Sequence, residues 1–188
     1  MSVYIHSTDG DVLYRSDSDS VRRAVSEAAT AKVSLSNADL ARADLSNSDL
    51  SGIDLSHADL SYTNLSGSAL SKADLSGANL TRAYLHATDM SWANMFRVNL
   101  HSACLSDANL SGANLSNTNM SHVDLFGANL RGANLTRSNM VHADLRYTNL
   151  SMTNLAGADM YLVDVRTTNL SGAAHVPNCL KPVEGQSK

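Results

Sequence analysis

A coiled, repetitive all-β fold is predicted for this chain, and three observations predict it. An apolar residue recurs at every fifth position from Leu35 to Leu170; of these 28 residues, 22 are Leu, five are Met and one is Val165. Two positions before each stands a small or β-branched residue, Ala in 14 cases, and one position before stands Asp or Asn in 24 of 28. A spacing of five matches neither the helical period of about 3.6 nor the alternation of a strand, so the backbone must turn within each unit. Short segments that turn at regular intervals stack into a solenoid whose coils touch only their neighbours.

Residues 1–32 read as an N-terminal hairpin and a capping helix. Val3, Tyr4 and Ile5 are strand formers, Asp9-Gly10 is a turn signal, and Val12, Leu13 and Tyr14 return. Asp19 or Ser20 is placed to cap a helix over 21–31. Its apolar residues, Val21, Ala24, Val25, Ala28 and Ala29, fall on one stripe, which suits a cover for the first hydrophobic layer. The repeats fill residues 33–172 without interruption. Residues 173–188 lose the period, and Val176, Leu180 and Val183 are expected to fold over the last coil as a plug.

The units Ala-Asp-Leu-Ser-Asn at 43–47, Ala-Asn-Leu-Ser-Gly at 108–112 and Ala-Asn-Leu-Arg-Gly at 128–132 resemble the pentapeptide repeat family, A(D/N)LXX. That resemblance implies a right-handed quadrilateral β-helix with four units per coil. The central Leu and the residue two before it point inward, and the other three positions point outward. The 28 units then make about seven coils, spanning roughly 34 Å at about 4.8 Å per coil. Leu75, Leu80, Leu110, Leu115, Leu130 and Leu135 are expected in the core, with the five Met as flexible fillers. Ile53, Val98, Val123 and Val163 replace the usual Ala and should swell the core slightly.

Stepping by twenty residues follows one outward column. Eleven of the twelve acids of the array lie in the Asp/Asn row, whereas the eight bases lie elsewhere on the outside. Identical carboxylates stacked about 4.8 Å apart would repel, and the mixing of Asp with Asn lets side-chain amides ladder between coils. One column combines Arg42, Tyr62, Arg82, Ser102, His122, His142 and Leu162, with His101 and Tyr161 nearby. His122 and His142 could form a weak metal or ligand stripe, but no third ligand is evident, and solvent-exposed ladder residues are the plainer reading. Trp92, Phe96 and Phe126 point outward and are candidate anchors for a protein partner.

No Gly-rich phosphate loop, HExxH, CxxC or nucleophile motif is present, so neither catalysis nor a cofactor is expected. A net charge of −4 and only 5% aromatic residues do not describe a nucleic-acid binder. Neither a basic-then-apolar leader nor an apolar run of about 18 residues is present, so a cytoplasmic protein without membrane attachment is expected. A rigid scaffold for protein–protein interaction fits these features, and a tail that plugs the last coil favours a monomer. The resemblance also implies an alternative, because some members, the Qnr-type and mycobacterial fluoroquinolone-resistance proteins, are similar to duplex DNA in size and charge and act on DNA gyrase. Those members are markedly acidic, dimerise through a C-terminal helix, and in several cases carry loops. Twelve acids against eight bases, an unbroken period and no such helix weigh against that role here.

Overall fold

The computed structural model describes residues 2–177. Strands β1 (Val3–His6) and β2 (Val12–Ser16) pair antiparallel, with Ile5 opposite Tyr14 and a register shift after Ile5. Gly10 closes the turn with φ of 94°, a conformation only glycine adopts freely. Helix α1 (Val21–Thr30) is capped by Ser20, whose hydroxyl accepts the Arg23 N–H. It buries Ala24, Val25 and Ala28, while Val21, the first residue of the expected stripe, is exposed.

The hairpin is joined to the array, which its local strand signals did not foretell. Asp39 N–H donates to the His6 carbonyl, Thr8 N–H donates to the Asn37 carbonyl, and Ser7 bridges Ala38 in antiparallel fashion. Ile5, Val25 and Leu35 share one buried cluster, and Arg22 pairs with Asp44 across the junction. Hairpin and helix together therefore cover the apolar end of the first coil.

From Asp39 to Ala174 the Asp/Asn row forms parallel bridges at a constant separation of twenty residues. Four five-residue units thus complete each turn of the chain. The hydrogen bonds explain the composition of the unit. In the unit Leu60–Asn64, the N–H groups of Leu60, Tyr62 and Asn64 donate to neighbouring turns, at the carbonyls of Asn79, Thr81 and Ala43. The Thr63 N–H closes a tight turn on the Leu60 carbonyl. One donor is left, that of Ser61, and the Asp59 carboxylate one position before Leu60 accepts it at 2.9 Å. Every buried or half-buried N–H needs a partner, and Asp or Asn supplies the missing acceptor in 24 of the 28 units, with Ser34 Oγ doing so for Ser36. Ala69, Tyr84 and Cys104 are the units in which this oxygen is absent.

The tight turns carry positive φ at the residue two after each Leu, for example 63° at Arg42, 58° at His122 and 69° at Gly112. With the 1→4 hydrogen bond this is the type II pattern, which favours Gly and Asn at that corner. Thr167 is the one β-branched residue among these corners, and it does not adopt positive φ. The types I and II turns differ by rotation of the central peptide. Accordingly, the Tyr147 N–H meets the Thr167 hydroxyl at 3.1 Å in place of the Arg166 carbonyl. Among the described residues the Asp144/Asp164 step is also the single bridge missing from the series between Asp39 and Ala174. Thr167→Asn is expected to restore the regular corner, slow amide exchange at Leu145, and stabilise by about 0.5–1 kcal/mol. Unchanged exchange at Leu145 would separate the missing bridge from the β-branched corner.

Inside, the Leu/Met column is fully enclosed from Leu35 to Leu155 apart from 3% exposure at Leu40. Ile53, Val98 and Val123 are as buried as the Ala residues they replace, whereas Val163, Val165 and Leu170 are only partly covered. The inward Ser and Thr residues return their hydroxyls to backbone carbonyls, as Thr63 does to Leu40 and Thr118 to Leu115. Ser48 is the exception, with an unpartnered Oγ. The residue 23 positions before it, whose carbonyl Thr63 uses in its own turn, is Val25 inside α1. Val176 packs on the core, while Leu180 and Val183 of the expected plug lie outside the described residues.

Candidate functional site

The tight turns collect outward side chains into four columns of corners. The first holds Arg42, Tyr62, Arg82, His122 and His142, all at φ between 56° and 63°. A corner residue in this conformation projects away from the core, and its neighbours one turn away lie about 4.8 Å off. Ser102 and Leu162 occupy the same column, so its large side chains form two stacks separated by Ser102. The Arg42 and Arg82 guanidinium carbons stand 5.4 and 5.9 Å from the Tyr62 ring centre, one from each side. His122 and His142 stack with centroids 4.8 Å apart and planes at 17°, and His101 meets His122 edge-on at 5.6 Å. His101 Nδ1 is 2.8 Å from the Ser121 hydroxyl.

Thus Tyr62, Arg82, His122 and His142, picked from the sequence, come together on one edge. The other three candidates do not join them. Phe126 sits on the second edge, edge-on to Tyr147 at 5.2 Å and beneath Arg146 at 5.6 Å. Trp92 lies on the third, 68% exposed, with its ring over Gly112, where a Cβ would come within 2.6 Å of it. Phe96 lies on the fourth, half-buried under Arg97 at 5.0 Å. Tyr147 and Arg146 were missed as companions of Phe126, although steps of twenty and twenty-one residues place them beside it. The six core leucines named above are all buried. Among the described residues no group of three or more His, Cys, Asp or Glu is placed to hold a metal ion.

The second edge also carries two bidentate ion pairs. The Arg146 and Arg166 guanidinium groups each bind the carboxylate two residues before them, with closest contacts of 2.6 Å. Hydrogen bonds from the Arg166 guanidinium, and then from its backbone N–H, hold the Asp164 carboxyl down to about 2 from its ordinary 3.8. Arg146 lowers Asp144 in the same way. A depressed folded-state value means that the contribution is fully present above the ordinary value and is lost as pH falls toward 2. Arg166→Ala is expected to return Asp164 toward 3.8, as read from its carboxyl carbon shift across an acid titration. An unmoved midpoint would refute the assignment to Arg166.

The Asp/Asn ladder fills the rows between edges. Asn79 donates to Asp59, Asn94 to Asp74, and Asn129 to Asn109, always from the later residue to the one twenty before. Between β2 and α1, Tyr14, Asp17, Arg23 and Glu27 line an open groove. No helix among the described residues is long and apolar enough to cross a membrane.

A repeated Leu column, an Asx acceptor in each unit and pairing at twenty residues define a repeat protein of the β-helical class. The family described as pentapeptide repeats matches residues 34–71, 63–101, 103–140 and 133–172, in eight copies. The chain belongs to that family. No curated protein matches it significantly. Among solved structures it is similar to a pentapeptide repeat protein of the Arabidopsis thaliana thylakoid lumen, at 30% identity and a TM-score of 0.49, over 50% of this chain and 65% of that one. It is also similar to a Nostoc pentapeptide repeat protein involved in heterocyst differentiation regulation, at 28% identity and a TM-score of 0.39, over 75% and 80%. A plasmid-mediated fluoroquinolone resistance protein matches at 19% identity and a TM-score of 0.33, over 71% and 84%.

Proposed function

We propose that this chain is a non-catalytic interaction scaffold. It is a stiff, right-handed, four-sided β-helix of about seven coils that presents its first edge to a protein partner in the cytoplasm. The observation that carries this reading is the placement of two stacks on one edge, Arg42–Tyr62–Arg82 and His122–His142, on either side of Ser102. Arg and Tyr are the residue types that concentrate binding energy at protein interfaces. Here they are held in place by the backbone ladder beneath them, so little order must be imposed on binding.

A photo-crosslinking amino acid placed at Tyr62 tests the reading in host cells. A discrete protein adduct is expected from Tyr62 and His142, and none from Asn117 on the fourth edge. Adducts that are absent, or equal at all three positions, would refute the assignment of the first edge.

A further inference from the structure

The first edge carries an imbalance that its stacking makes chemically specific. Arg42 and Arg82 face only the Tyr62 ring and form no ion pair among the described residues. On the same edge, past Ser102, stand His122 and His142 with His101 beside them, with no carboxylate within 4 Å among the described residues. The row before the edge holds Asp39, Asp59 and Asp159 at its ends, and each accepts a backbone N–H of its own turn. Between them it is neutral: Asn79, Asn99, Asn119 and Asn139. The row after it holds Asp44, Tyr84, Cys104, Asp124, Asp144 and Asp164. Its carboxylates are engaged away from the strip: Asp44 by Arg22, Asp124 by the Phe126 N–H, Asp144 by Arg146 and Asp164 by Arg166. Tyr161 is the remaining titratable neighbour.

We propose that this edge docks an acidic protein segment, and that proton uptake by the stacked histidines strengthens the docking. The inference rests on the scaffold reading and adds the partner's chemistry and its pH control. Histidine is the side-chain type that takes up a proton between neutral and mildly acid pH. Two stacked rings 4.8 Å apart repel once both are protonated. An extended chain of carboxylates laid along the edge relieves this repulsion. Proton uptake and segment binding therefore favour one another, by reciprocity. Affinity rises as pH falls. The segment stays ionised at mildly acid pH, because Asp titrates near 3.9.

A dye-labelled polyaspartate peptide of about ten residues, titrated with the whole chain and followed by anisotropy at constant ionic strength, tests this. Binding is expected to tighten at least about tenfold between pH 7.5 and pH 5.5. The combined His101→Asn, His122→Asn and His142→Asn variant is expected to bind as the wild type does near pH 7.5 and to lose the pH dependence. Asn tolerates the positive φ of positions 122 and 142, so this variant keeps the corner geometry. Arg42→Gln with Arg82→Gln is expected to weaken binding at both pH values. A pH-independent affinity, or pH dependence that survives the histidine changes, overturns the proton linkage. Absence of peptide binding, or tighter binding of a single-stranded oligonucleotide of similar charge, overturns the acidic-segment assignment. Crosslinking at Tyr62 is read separately and fails only if the scaffold reading fails.

Discussion

Leu115→Asp is expected to unfold the middle of the array, lowering stability by about 4–5 kcal/mol in urea denaturation. Leu115 is fully enclosed, and the Leu column above and below it supplies no polar partner. An ionised carboxylate there would be stripped of water with nothing in return. Protonation would leave a polar acid and a cavity where a large apolar side chain was lost. The damage spreads because each turn is the template for the next, through bonds such as Leu115 N–H to the Asn134 carbonyl at 2.8 Å. Ser111→Lys, four residues before, lies on the outside and should shift stability by no more than about 0.5 kcal/mol. Equal tolerance of the two would refute the inward–outward assignment.

Asn114→Pro is expected to cost about 3 kcal/mol or more, although the position is only half-buried. Proline removes the N–H that donates to the Ala93 carbonyl at 3.0 Å. It also removes the Oδ1 that accepts the Ser116 N–H at 3.3 Å and its hydroxyl at 2.7 Å. Two ladder contacts go with it, to Asn94 and from Asn134. Asn114→Asp keeps the acceptor and the backbone donor and should stay within about 1 kcal/mol of the parent. Asn114→Ala, which deletes only the side chain, should fall between them. An alanine variant as stable as the aspartate variant would show that water, and not the side chain, satisfies the Ser116 N–H.

These two substitutions mark what the sequence discloses and what it conceals. The inward column was legible because Leu at every fifth position has no other physical explanation, and Leu115 lies where that column puts it. The Asn row was legible as a pattern but not as a cause. Its mixed composition suggested an amide ladder, which exists, yet the stronger demand comes from the single leftover N–H of each unit. That demand appears only once the other four donors have been traced through the turns. The corners were similar. Gly, Asn and His fill half of the corners, but Arg, Tyr, Trp and Leu fill others, so composition alone does not disclose the positive φ that sets Thr167 apart. For the candidate site, addition of twenty gathered Tyr62, Arg82, His122 and His142 correctly. It could not supply the facing of the two arginines on Tyr62 or the near-parallel imidazoles, because ring orientation is set by side-chain torsions that no periodicity encodes. Trp92, Phe96 and Phe126 share outward character but not an edge, since exposure alone does not specify which corner a residue occupies.

The constant separation of twenty residues between paired positions gives the chain something like a reading frame. Loss or gain of twenty residues shortens or lengthens the rod and leaves every downstream side chain on its own edge. Loss of a single unit of five preserves the inward Leu spacing just as well, and so preserves the fold. It nevertheless rotates everything downstream by a quarter turn. A five-residue deletion between Arg82 and His101 would leave a sound rod on which the arginines face one way and the histidines another. The fold is therefore indifferent to a change that would dismantle the strip. Preservation of the strip through the history of such a chain requires selection on the surface itself, counted in multiples of four units.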